Sequence, residues 1–181
     1  MNSRHLDMRV KQCFALATLS PCPRRKYGAV AIDPVENVIL SEGFNGGPRG
    51  GARLCGTETT CRRDGVPMAS PPNGQIRMVD PIPSGTRYEI GCAHAEMNVV
   101  CNAARVGHSL KGAWLICTGI PCLGCAKLIH HSGVAKVITI KGGYAGENGA
   151  SYLREHGVVV EEVDPPTDNI DIGPVVDGGG R

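Results

Sequence analysis

The sequence predicts an α/β fold, and three observations predict it. The second half alternates short β-rich runs with segments of helical period, joined by short connections, which demands right-handed crossovers and parallel strand pairing. The first half supplies one amphipathic helix and a hairpin. The chain has 181 residues, 41% of them hydrophobic and 20% charged, the size and composition of one ordered domain that needs no disulfide framework.

The elements follow in order. Residues 3–20 carry Leu6, Val10, Cys13, Phe14 and Ala17 on one helix face. Asn2 or Ser3 caps the start, and Pro21 and Pro23 end the helix. Residues 28–32 and 38–40 are β-rich and flank Asp33-Pro34-Val35-Glu36-Asn37, a hairpin pattern. Residues 46–91 are rich in Gly and Pro and have no period. A loop of that length inside a compact domain has a function or is held by something. Residues 93–106 read as a helix with Val99, Val100 and Ala103 buried and Gly107 as its stop. A strand at 113–117, a helix at 122–131 stopped by Gly133, a strand at 134–140, a short helix at 150–156 and a strand at 158–163 complete the pattern. Residues 1–163 thus form the domain, and 164–181, rich in Pro, Gly and Asp, form an extended tail.

Charge and hydropathy narrow the function. Nineteen basic against 17 acidic residues leave a formal charge of +2, too little for a strong non-specific grip on nucleic acid. No apolar stretch approaches the ~18 residues of a membrane span. The first ten residues carry charges where a secretory signal needs an apolar core. The expectation is a cytoplasmic protein with a small-molecule partner and neither membrane nor nucleic acid.

Nine cysteines are then unusual, because clustered thiols in a reducing compartment point to metal or catalysis. Cys13, Cys101 and Cys117 sit among apolar neighbours and are expected in the core. Cys122 and Cys125 form Pro121-Cys122-Leu123-Gly124-Cys125 at one helix start, and Cys92-Ala93-His94-Ala95-Glu96 opens another. Together they match the H-x-E…P-C-x-x-C pattern of zinc deaminases. A catalytic zinc takes three protein ligands and leaves a fourth position for water. His94, Cys122 and Cys125 supply those three, and the i, i+3 step puts both sulfurs on one side. Helix N-termini favour the thiolates. Glu96 is placed to take the water's proton and deliver it to the ring nitrogen, and then to shuttle a second proton to the departing amine. The alternative is a structural zinc closed by Cys92, with Glu96 idle on the surface.

The sequence also resembles the deoxycytidylate (dCMP) deaminases of the cytidine deaminase-like superfamily over most of residues 4–163. The resemblance runs through Cys22-Pro23-Arg24-Arg25-Lys26-Tyr27-Gly28, Gly43-Phe44-Asn45-Gly46-Gly47-Pro48, Pro83-Ser84-Gly85-Thr86-Arg87-Tyr88-Glu89, His94-Ala95-Glu96, Ala103-Ala104-Arg105-Val106-Gly107, Pro121-Cys122…Cys125-Ala126-Lys127 and Gly142-Gly143-Tyr144. It implies a three-layer α/β/α fold around a mixed five-stranded sheet, a homo-hexamer, and conversion of dCMP to dUMP and ammonia for deoxypyrimidine nucleotide synthesis. Asn45 is similar to the side chain that fixes sugar or base, with an αL turn residue as the alternative. Tyr144 is similar to the aromatic near the pyrimidine. Arg24, Arg25 and Lys26 offer charge for a 5′-phosphate, or form a solvated basic loop.

The resemblance further implies activation by dCTP and inhibition by dTTP, with magnesium accompanying the effector. Gly43, Phe44 and Gly46 fall at the effector site, where Phe44 replaces the usual Tyr, and Arg105 matches a position near subunit contacts. Some relatives bind a second, structural zinc in these regions. Cys22, Cys55, Cys61 and Cys92 are its expected ligands here, unless some are spare thiols or His5 or His108 replaces one. Such a site would fasten the long loop. The competing readings are a deaminase of 5-modified dCMP or of a free cytosine nucleoside, and a zinc-stapled nucleotide-binding protein without turnover.

Overall fold

The computed structural model describes residues 1–47, 67–68, 77–78, 92–142 and 149–166. Its elements are α1 (Ser3–Thr18), β1 (Gly28–Ile32), β2 (Ile39–Phe44), β3 (Pro67–Met68), β4 (Arg77–Met78), α2 (Ala95–Val106), β5 (Trp114–Cys117), α3 (Leu123–His131), β6 (Lys136–Ile140), α4 (Gly149–Glu155) and β7 (Val159–Val163).

Five strands form one sheet in the order β2-β1-β5-β6-β7. β1 runs antiparallel to both of its neighbours, whereas β5, β6 and β7 are parallel. The parallel half is what the strand–helix alternation requires. The sheet is buried on both sides. On one face α1 packs Val10, Cys13 and Phe14 against Val30, Ile32, Ile116, Ile138 and Ile140. On the other, Ala95, Val99 and Ala103 of α2, Cys125, Ala126 and Ile129 of α3, and Leu153 of α4 pack on Ala29, Ala31, Leu115 and Val137. The result is the expected α/β/α sandwich with a mixed five-stranded centre. β1 is buried at every position, which explains its unbroken apolar run Gly28-Ala29-Val30-Ala31-Ile32.

Several local expectations need correction. The second hairpin strand does not stop at Leu40 but continues to Phe44. Ile32 lies opposite Ile39 and Ala31 opposite Ser41, so Leu40 is the extra residue of a β-bulge. Within the stretch expected to be irregular, β3 and β4 pair antiparallel. Cys101 is exposed, not in the core. The buried stripe of α2 runs through Ala95, Val99 and Ala103, and position 101 falls between two of them on the opposite side of a 3.6-residue helix. Val100 is half-buried. Asn2 is the cap of α1, its side chain accepting from the His5 amide at 2.9 Å. The expected tail lies outside the described residues beyond Pro166. Among the described residues, no helix is long and apolar enough to cross a membrane.

Two polar devices fix the layers. The first is the buried Arg9 of α1, whose guanidinium donates to the Asn37 carbonyl and, at 2.8 Å, to Gln12 Oε1. It ties the helix to the hairpin turn. The second holds α2 to β2. Side chains of Asn98, Asn102 and His108 donate to the carbonyls of Phe44 (2.7 Å), Glu42 (2.8 Å) and Leu40 (2.8 Å), and Ser41 Oγ donates to Val99 O at 2.7 Å. Alternate carbonyls of an edge strand, which would otherwise need water, are thereby satisfied by one helix and the turn after it.

Candidate metal centre and active site

The N-termini of α2 and α3 converge on one point. His94 is the cap residue of α2 and Cys122 that of α3, both with extended backbone (φ −75°, ψ 159° and φ −68°, ψ 166°). Extended caps hold each side chain beside the first turn of its own helix. The carbonyls of these caps already accept the first helical bonds, from Asn98 N (3.0 Å) and Ala126 N (2.8 Å). Cys125 follows one turn into α3, and its amide donates to Cys122 Sγ at 3.5 Å. Both helix dipoles present positive ends here, which favours thiolates.

The donor set fits zinc. His94 Nδ1 lies 3.5 Å from each of the two sulfurs, and the three donor atoms are all within 4.8 Å of one another. Tetrahedral bonds of about 2.1 Å to nitrogen and about 2.3 Å to sulfur require an N···S edge of about 3.6 Å. An imidazole with two thiolates is a soft, dianionic set suited to Zn²⁺ with one position open. Cys92, the residue that would close the site as purely structural, does not join this cluster although it is described. Cys122 is pulled below the usual thiol range, first by the hydrogen bond from Cys125 and then by His94, while Cys125 is pushed up by the same bond and by burial.

Glu96 stands in the first turn of α2, two residues from His94, and only 8% of it is exposed. Burial pushes its carboxyl above the usual carboxylate range, against the lowering effects of its own backbone amide and His94. A buried acid beside a metal site is not the idle surface group of the alternative reading.

Behind the ligands, residues 44–46 join two elements. Gly46 and Ala93 exchange both backbone hydrogen bonds (3.0 and 2.8 Å). Asn45 turns both ends of its amide to the segment before β1: Oδ1 accepts from Tyr27 N at 2.7 Å, and Nδ2 donates to Arg25 O at 2.9 Å. The Asn45 amide N also donates to Tyr27 O at 3.2 Å. Arg24 and Arg25 are half-buried in that segment and Lys26 is exposed. The Arg25 amide points at Cys22 Sγ (3.5 Å), the same i+3 N–H···S arrangement that Cys125 makes with Cys122.

The remaining expected residues divide. Gly43 is buried, and a Cβ there would lie 2.8 Å from Ala95 O and Asn98 Cβ, so close packing of α2 on β2 already requires it. Phe44 is half-buried and Gly46 buried. Arg105 is exposed in the last turn of α2, where a cation suits the helix dipole. Cys55, Cys61 and Tyr144 lie outside the described residues. Asn98, which the sequence leaves without a role although it closes the segment His94-Ala95-Glu96-Met97-Asn98 of the resemblance, anchors the helix that carries His94 and Glu96 through its bond to Phe44 O.

A His-Cys-Cys cluster at two helix starts, a buried glutamate beside it and an α/β/α sandwich beneath match the pattern of the zinc deaminase class. Comparison with known proteins agrees. Residues 3–141 match the family described as the cytidine and deoxycytidylate deaminase zinc-binding region. The chain is 29% identical over 156 residues to the deoxycytidylate deaminase of Schizosaccharomyces pombe, covering 85% of this chain and 42% of that protein. It is 31% identical over 143 residues to the deoxycytidylate deaminase of Enterobacteria phage T4, covering 69% of this chain and 72% of that one. Among solved structures, the dCMP deaminase of cyanophage S-TIM5 in complex with dCMP and dUMP superposes with a TM-score of 0.66 at 27% identity, over 90% of this chain and 99% of the other. The chain belongs to the cytidine and deoxycytidylate deaminase family. It spans less than half the length of the yeast relative.

Proposed function

We propose that the chain catalyses the hydrolytic deamination of dCMP to dUMP and ammonia. The observation that carries this reading is the cluster of His94, Cys122 and Cys125 with buried Glu96 beside it. The substrate comes from the relatives named deoxycytidylate deaminase and from the cyanophage enzyme seen with dCMP and dUMP.

Zinc held by His94, Cys122 and Cys125 supplies Lewis-acid activation of a water molecule. The two thiolates balance the charge of the ion, so proton removal falls to Glu96. Its carboxylate would accept one proton of the water and pass it to N3 of the cytosine ring, then accept the second proton from the oxygen now on C4 and deliver it to the exocyclic amine. The C4–N4 bond breaks, a C4–O bond forms, and ammonia leaves. Burial of Glu96 favours its protonated form and so suits it to give the proton back. Arg25 and Lys26, with Arg24, face the 5′-phosphate in this reading, and Tyr144 packs near the pyrimidine. Control by dCTP and dTTP through Gly43, Phe44, Gly46 and Arg105 belongs to the same reading, as does a cytoplasmic homo-hexamer.

The test is ammonia release, with the accompanying ultraviolet shift, on dCMP, deoxycytidine and CMP. Turnover confined to dCMP is expected. Deoxycytidine turned over as fast as dCMP would demote the enzyme to a nucleoside deaminase, and zinc-loaded protein inactive even with dCTP and magnesium would overturn the reading.

A second, structural zinc on Cys22, Cys55, Cys61 and Cys92 is part of the proposal. Two observations support its described half. Cys22 already has the N–H···S turn of a ligand cysteine. Both Pro21, next to Cys22, and Ala93, next to Cys92, border Gly46. Replacing Cys22 or Cys61 with Ser is expected to halve the zinc measured per chain while sparing the catalytic ion. Unchanged metal content would remove the second site.

A further inference from the structure

The amide of Asn45 makes two hydrogen bonds, and both go to the backbone of the basic segment. Tyr27 N can only donate and Arg25 O can only accept, so the bonds of 2.7 and 2.9 Å fix the amide in one orientation. A third bond joins the Asn45 backbone to Tyr27 O. On either side of Asn45, the neighbouring residues bind the catalytic helix. Phe44 O accepts from Asn98, and Gly46 exchanges two bonds with Ala93, the residue before the ligand His94. Three consecutive residues therefore connect the metal-bearing helix start to the segment carrying Arg24, Arg25 and Lys26.

We infer that Asn45 is a positioning residue. It holds the basic segment at a fixed place relative to the metal centre, so that the enzyme selects a nucleotide carrying a 5′-phosphate over the bare nucleoside. Each end of the amide holds one partner in the basic segment, and Asn45–Gly46 and Ala93–His94 are consecutive residues joined by the Gly46–Ala93 pair of hydrogen bonds. Misplacing a cationic group by about 1 Å suffices to lose much of its effect on a bound substrate. The inference rests on the dCMP reading above.

Two variants test it. Asn45→Asp keeps the acceptor for Tyr27 N but sets an oxygen against Arg25 O; Asn45→Ala removes both bonds. Loss of one positioned hydrogen bond corresponds to about a tenfold effect. Asn45→Asp is expected to raise KM for dCMP about tenfold with a smaller change in kcat, and to lower the preference for dCMP over deoxycytidine. Amide exchange at Tyr27 should stay slow in Asn45→Asp and become fast in Asn45→Ala, with zinc content unchanged in both. An equal loss on dCMP and deoxycytidine, with Tyr27 still protected, would overturn the inference and make Asn45 a direct ligand of sugar or base. Loss of zinc or of the folded state with no change in preference would overturn it in favour of a structural role. Wild-type enzyme indifferent to the phosphate would sink the dCMP reading and this inference together. Preference retained in both variants would sink the inference alone.

Discussion

Glu96→Gln is expected to lower turnover of dCMP by about 10²- to 10⁴-fold while leaving zinc content and fold in place. The two side chains have the same shape and Glu96 is buried, so the substitution neither opens a cavity nor strains α2. What it removes is proton transfer. Glu96 is the one acidic residue in the first turn of α2. Relieving a buried carboxyl of its desolvation makes the variant at least as stable as the parent. Measuring kcat together with bound zinc and the melting temperature checks this. Activity within about tenfold of the parent would take Glu96 out of the proton path, and loss of zinc would make it a structural group.

Gly149→Ala is expected to weaken zinc binding from a residue that has no ligand atom. A Cβ at position 149 would lie 1.8 Å from Pro121 O, 2.8 Å from Pro121 C and 3.0 Å from Cys122 C. All three are backbone atoms, so no side-chain rotation relieves the clash. Either α4 retreats from α3 or the Pro121–Cys122 peptide moves and carries the first thiolate with it. Overpacking of this kind costs about 1–3 kcal/mol, and disturbing the support of a metal ligand weakens affinity about 10- to 100-fold. Chelator competition and a thermal melt read the two effects separately. A variant with the parent's zinc affinity and melting temperature would show that α4 does not dock there as closely as the structure places it.

Much of the site was legible because its chemistry is local. His94 with Glu96, and Cys122 with Cys125, are each set by spacing along a single helix start, and a single tetrahedral ion needs little more than two such starts brought together. The strand–helix alternation of the second half likewise announced parallel β5, β6 and β7. Where the reading went astray, a non-local or angular fact decided. The apolar neighbours of Cys101 predict a core position, yet helical phase turns it outward between Val99 and Ala103. The run 38–40 was too short because the residues to Phe44 look like a turn until β1 and α2 pair with them.

By itself the sequence determined the class of the fold, the identity of the three donors and the presence of a glutamate beside them. These rest on hydrophobic period and on residue spacing within single elements, which the chain carries wherever it goes. Only the tertiary structure decided that Glu96 is buried, that His94 Nδ1 stands 3.5 Å from both sulfurs, and that the Asn45 amide bonds Arg25 and Tyr27. It alone brought Gly149 against Pro121. Each of these depends on the distance between elements far apart in the chain. That distance is set by how the helices pack across the sheet, and no stretch of sequence states it.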